Sequence, residues 1–353
     1  MKEAKFRLTR SVEDEPIALR LKEAPDFNVG GVITEDGRAL SAAYRDGELH
    51  FVGTFGAGEH TVSMIEEPVM PRYDMEIEAA DERIRFHIGG DMFAEYVYSD
   101  KFYKPYFGPV MTSFGESYTR LDFEATEHPH HRSVFFGVGD VSLEGGAQHV
   151  DFWNEPANCG IQKHKSASVS AGGGQMRVNA ETVWTSHDGE PMADAESSFT
   201  VYSQPHKTRT VDVTLAFTAS YGKLTFGATK EAGPLGVRVA DPLRVERGGY
   251  MKNSYGAVGE EECWGRAANY CIYGGELSGH PVGIAVFDSA ENERFPTTWH
   301  IRNYGLFAAN NLYFRGGLEI PAGGRLEYKY RIIFFEGDEN TAKISDRYVT
   351  YAK

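Results

Sequence analysis

The segment Glu127-His128-Pro129-His130-His131-Arg132 sets three imidazoles and a guanidinium side by side. An imidazole with its ordinary pKa of about 6.5 gives or takes a proton at neutral pH, so His128, His130 and His131 are candidate acid–base groups. Pro129 holds His128 out of the helical region. The spacing therefore predicts an extended or turn segment entering a strand at Ser133; in an extended chain His128 and His130 project to one side and His131 to the other. A second segment, Thr297-Thr298-Trp299-His300-Ile301-Arg302-Asn303-Tyr304, adds His300 between aromatic and cationic neighbours. Asp140, Asp151 and Glu231 are the carboxylates placed to partner or orient these rings.

Binding groups accompany them. Arg132 and Lys230 would hold a hydroxyl, a carboxylate or a developing oxyanion. Trp153 and Trp299 offer flat faces for a sugar ring, and Asn253, Arg302, Asn303 and Tyr304 supply further contacts. Each piece also has a plainer reading. The histidines can satisfy backbone carbonyls, Asp151 and Trp153 can rim a core, and Lys230-Glu231 can be a solvated pair. Convergence on one concavity is what separates the two. The imidazole spacing on non-helical backbone is not a standard ligand pattern, and Arg132 opposes a bound cation. A site without metal or other cofactor is expected, a divalent ion on His128, His130 or His300 being the alternative. The chain has no GxGxxG opening a helix, P-loop, HExxH or GxSxG elbow.

These residues sit among short strand-like runs. Lys5–Leu8, Ile17–Leu21, Ala39–Arg45 and Glu48–Val52 come first, the last two joined by the Asp46-Gly47 turn. The prolines of Glu66-Glu67-Pro68-Val69-Met70-Pro71 suggest a boundary, hence a small β module over 1–68 and a large domain over 69–353. In the large domain Val134–Leu143, His149–Trp153, Met176–Trp184, Thr208–Ala219, Val282–Asp288, Leu312–Phe314 and Leu326–Phe335 read as strands, among others. In His149–Trp153, alternation places His149, Asp151 and Trp153 on one face. Helical periodicity is confined to a short C-terminal run capped by Asn340 or Thr341 and ending near Tyr348. Strands with so little crossover helix predict an all-β fold, a large antiparallel β-sandwich.

The composition agrees: 41% hydrophobic, 13% aromatic and 39 glycines in 353 residues suit strands joined by tight turns. A net charge of −15 repels phosphate backbones and anionic lipid, so neither nucleic acid nor a membrane is an expected partner. No segment reads as a signal peptide or membrane helix. Cys159, Cys263 and Cys271 lack CxxC spacing and read as reduced, so a cytoplasmic location is expected. The sequence leaves homo-oligomerisation open.

The order of the clusters resembles a bacterial family of unknown function labelled "methane oxygenase PmoA-like". The matching pieces are Pro105-Tyr106, His128-Pro129-His130-His131-Arg132, Gly139-Asp140-Val141, Asp151-Phe152-Trp153, Lys230-Glu231, Asn253-Ser254-Tyr255-Gly256, Trp264-Gly265-Arg266 and Trp299-His300-Ile301-Arg302-Asn303-Tyr304. The label's membrane activity needs transmembrane helices, which are lacking here. The resemblance implies a β-sandwich found beside sugar metabolism, with a distant likeness to the supersandwich of aldose mutarotases. The residues and the resemblance together predict an enzyme acting on a sugar or small glycoside by His/carboxylate acid–base chemistry. Glycosidic cleavage, by hydrolysis or elimination, is favoured over epimerisation or mutarotation. A non-catalytic carbohydrate-binding sandwich is the rival.

Overall fold

A computed structural model describes residues 2–121 and 127–352. Strand makes up 53% of the protein and helix 5%, and among the described residues every strand pairing is antiparallel. Two eight-stranded sheets pack face to face. The first runs, edge to edge, Trp299–Arg302, Leu306–Ala309, Ala232–Arg238, Val134–Val138, Tyr106–Val110, Asp91–Val97, Arg83–Ile88 and Met75–Ala80. The second runs Ile161–Gly172, Gln175–Thr185, Pro191–Tyr202, Thr208–Thr218, Arg325–Glu336, His280–Asp288, Tyr270–Leu277 and Tyr250–Asn253. Alternation drives the packing: Val211, Val213 and Leu215 of the second sheet meet Val134, Phe136 and Val138 of the first in one core.

Residues Lys2–Leu8 to Gly58–Ile65 form a six-stranded sheet around its own core of Val32, Leu49, Phe51 and Val62. Asp46 and Gly47, at φ 53° and 83°, make the expected hairpin turn. Glu15, wholly buried, reaches from this sheet to Arg331 at 3.0 Å and to Arg347 of the C-terminal helix. That helix, Ile344–Tyr351, packs Ile344 and Tyr348 on the second sheet. Its cap differs from the expected one. Lys343 occupies the N-cap, while the amides of Asn340 and Thr341 donate to Asp338 at 2.9 and 2.7 Å.

Three strand expectations fail for local reasons. Val134–Leu143 breaks at Gly139, whose amide donates to the Glu231 carbonyl, and Val141–Leu143 leaves for a three-stranded sheet. His149–Trp153 is a turn, because the Asp151 carboxylate takes the amides of Trp153 and Asn154 at 2.8 and 2.9 Å. Leu312–Phe314 is likewise turned, with Asn310 accepting from Leu312 and Tyr313. Conversely, Ile161–Gly172 is an exposed edge strand whose polar sequence hides it, since ladder bonds to Gln175–Thr185 hold it in place of burial.

The first sheet's outer face positions the site. Strand residues next to core residues point away from the core: Phe135 beside Phe136, Arg238 beside Val237, His300 between Trp299 and Ile301. Gly137 lets the chain around Trp153 lie directly on this face, for a Cβ there would stand 2.9 Å from the Phe152 carbonyl oxygen.

Candidate functional site

The histidine segment is a tight turn. His128 has φ 48°, and the His131 amide donates to the His128 carbonyl at 3.1 Å. Arg120 pins the turn by donating to the Glu127 and His128 carbonyls at 2.9 and 2.8 Å. Of the two expected forms the turn is the one adopted, and the two-sided display of an extended chain does not arise. His128 and His131 lie parallel with centroids 5.0 Å apart, and His130 stands across His131 at 4.3 Å and 78°. Tyr304 stacks on His128 at 4.6 Å and 8°. Segments far apart in sequence thus meet at one half-exposed rim.

Behind the rim lies a ring ladder. His131 meets Trp153 at 5.5 Å, and Trp153 meets His300 at 6.4 Å, which holds the His131 and His300 rings within about 12 Å of each other. Burial, with the Arg302 charge, lowers the His300 pKa to about 4. Burial and the charge of Lys104 bring His130 to about 3, and burial holds His131 well below the ordinary value. These three rings are neutral at physiological pH. A pH step at the ordinary histidine value is therefore not expected from them.

Two carboxylates organise the surrounding cations. Glu127 accepts from His128 Nδ1 at 3.0 Å and contacts Arg238 at 3.1 Å and Arg244 at 3.3 Å. Burial opposes its ionisation, but His128 and the arginines outweigh this and hold it at about 2. Glu155 takes both ends of Arg132, at 2.6 and 2.7 Å, and buried Lys104 at 3.0 Å. These partners outweigh burial and lower its pKa. Burial raises the Tyr304 phenol to about 12, so it keeps its proton.

The other expected residues divide. Glu231 pairs with Lys230 at 3.3 Å and acts on His300, and a Cβ on Gly139 would touch both Glu231 and Asp151, so these groups adjoin the His300 end. Asp151, however, is committed to its turn, accepting also from Asn154 Nδ2 at 2.8 Å. Asp140 pairs with exposed His149 at 2.9 Å. Arg302 binds Glu260 at 2.9 Å and lies over Tyr304, and the Asn303 amide donates to the same glutamate. Trp153 and Trp299 are 1% and 0% exposed, so neither presents a face to a sugar; Trp299 Nε1 donates to the Ala268 carbonyl instead. Asn253 closes a turn on the second sheet by accepting from Tyr255 and Ala257.

Sequence reasoning overlooked Glu127, Glu155, Lys104, Arg238 and Arg244. One signal was available for Arg238: it closes Ala232–Arg238, a strand buried throughout, where an unpaired charge would be costly. The others follow only from tertiary contact. Among the described residues, no three His, Cys, Asp or Glu side chains are grouped to hold a metal ion, and no described helix is long and apolar enough to cross a membrane.

Among solved structures, the chain is similar to heparan sulfate lyase HepC from Pedobacter heparinus, at 11% identity and a TM-score of 0.30 over 89% of this chain and 37% of that one. A HepC mutant gives 11% identity and 0.29 over 90% and 38%. The chain thus spans well under half the length of either, and at these scores the likeness carries no argument about activity. Among curated proteins none matches it in sequence. The model of a family of unknown function matches residues 83–348, most of the chain, and the protein therefore belongs to that family, DUF6807.

Proposed function

We propose that the protein is a carbohydrate-active enzyme that cleaves a sugar or small glycoside by acid–base chemistry, and that the cleavage is an elimination. The observation that carries this is the stacked Tyr304–His128 pair with Glu127 on His128 Nδ1. A carboxylate on Nδ1 fixes the tautomer and leaves Nε2 as the basic nitrogen, the logic of an oriented general base. Nε2 meets no hydrogen-bond partner among the described residues, and the side chain is 38% exposed. In the proposed step His128 Nε2 takes a proton from a carbon next to a carbonyl or carboxyl group. The electron pair forms a C=C bond, the adjacent C–O bond breaks, and Tyr304 gives its proton to the departing oxygen. The flanking guanidiniums stabilise the charge that develops on the activating group.

Hydrolysis fits less well. It needs one carboxyl group kept protonated to act as general acid, whereas Glu127 and Glu155 are held ionised by arginine and lysine. The carbohydrate-binding reading has one observation in its favour, an exposed corner where Phe314 meets Tyr313 at 4.8 Å and Trp264 at 4.9 Å. The test is a panel of glycosides, uronides and 3-keto glycosides, followed for unsaturated products. Turnover lost in both His128→Ala and Tyr304→Phe supports the reading. Hydrolysed products without a double bond, or affinity without turnover of any member, would sink it.

A further inference from the structure

We infer that the arginines around Tyr304 form a subsite for a carboxylate, so that the substrate of the proposed elimination is a uronic acid glycoside; this rests on the reading just given. In a chain of net charge −15, the guanidiniums of Arg238, Arg244 and Arg302 gather around Glu127 and Tyr304. Arg238 is 0% exposed and hydrogen-bonds Glu127 through Nη2, while its Nε and Nη1 have no hydrogen-bond partner among the described residues. Its carbon centre lies 4.9 Å from the Tyr304 ring centroid. Arg244 shares Glu127 and binds Glu246 at 2.7 Å, yet among the described residues its Nε also lacks a partner. Asp241 stands 3.8 Å from Arg244.

A buried guanidinium with a single hydrogen bond is an expensive arrangement, and an anion held at the accessible side of the cluster, by Arg244 and Arg302, offsets its charge. A carboxylate matches the guanidinium fork, whereas a sugar hydroxyl supplies neither the charge nor the paired acceptors. Buried His131, with both ring nitrogens unpartnered among the described residues, lies within electrostatic reach of Arg238. Arg302, one-third exposed and 5.6 Å from the Tyr304 centroid, opens the cluster to solvent. Gly305, at φ 99°, keeps a side chain off this spot: a Cβ would stand 3.2 Å from Arg244 Cγ and 3.7 Å from Arg238 Nε. The chemistry agrees, because the carboxylate that acidifies the neighbouring C–H is also where charge gathers as the proton leaves.

Titration calorimetry on the full chain decides the point. The probes are short galacturonate and glucuronate oligosaccharides, and the same oligosaccharides with their carboxyls reduced to alcohols. The uronides should bind about tenfold or more tightly than the reduced forms. Arg244→Gln should erase most of that difference, and Arg302→Gln serves should the first variant fail to fold. Equal affinity for charged and reduced sugars, or no binding of any uronide, overturns the subsite. Inorganic sulfate displacing the uronide at equal concentration would also overturn it, in favour of a sulfate-specific site. Turnover of neutral or 3-keto glycosides judges the catalytic reading separately, so either proposal can fail alone.

Discussion

Acid should destabilise this protein through His300 in a way one substitution can isolate. The ring is 5% exposed, and burial together with Arg302 brings its pKa to about 4, although Glu231 and the Lys230 carbonyl pull the other way. In the unfolded chain it returns to about 6.5. Between these values the unfolded state binds more protons, so stability is fully present above about pH 6.5 and is lost as pH falls toward 4. From pH 7 to pH 5 this single ring accounts for about 2 kcal/mol of unfolding free energy, rising to about 3 kcal/mol below pH 4. Urea unfolding of wild type and His300→Asn at both pH values cancels every other titrating group. The variant, whatever its absolute stability, should lose about 2 kcal/mol less than wild type. Matching losses, within about 0.5 kcal/mol, would refute the reasoning, because the ring would then titrate as an exposed one. An NMR titration midpoint of His300 near its unfolded value would refute it more directly.

Other consequences are simpler to state. His128→Ala should reduce turnover on a responsive glycoside by about 10²–10⁴-fold while leaving the melting temperature nearly unchanged, read by steady-state kinetics and calorimetry. Glu155→Ala removes the carboxylate shared by buried Lys104 and Arg132 and should cost about 3–5 kcal/mol in urea unfolding, a loss that Glu155→Gln restores only in part. Glu15→Ala should destabilise the protein by a similar amount, since it removes the carboxylate that Arg331 and Arg347 share. Gly137→Ala forces a Cβ against the Phe152 carbonyl and should cost about 1–3 kcal/mol, with a shifted Trp153 fluorescence maximum as the local readout.

Much of the architecture was legible in local pattern. The alternation of Val211, Val213 and Leu215, the Asp46-Gly47 turn and the scarcity of helical periodicity are consequences of backbone geometry acting over a few residues, and they identify an antiparallel sandwich before any contact is known. The histidines were visible for a similar reason: their density in one short segment is a property of the string itself.

What they do there was decided by tertiary structure. Whether Trp299 is a platform or core depends on which sheet face its strand turns inward, and the strand hides it while turning His300 outward. Asp151 became a turn former because its carboxylate met two backbone amides before it could meet a substrate. Glu127 and Glu155 were overlooked because a carboxylate acquires its role from cations such as Arg238 and Lys104, brought to it by strands and loops far along the chain. The same holds for the imidazoles' charge. Residue type alone implies rings that titrate near neutrality, but desolvation depends on what packs around a ring, and only the folded sheet supplies the neighbours that keep His130, His131 and His300 neutral.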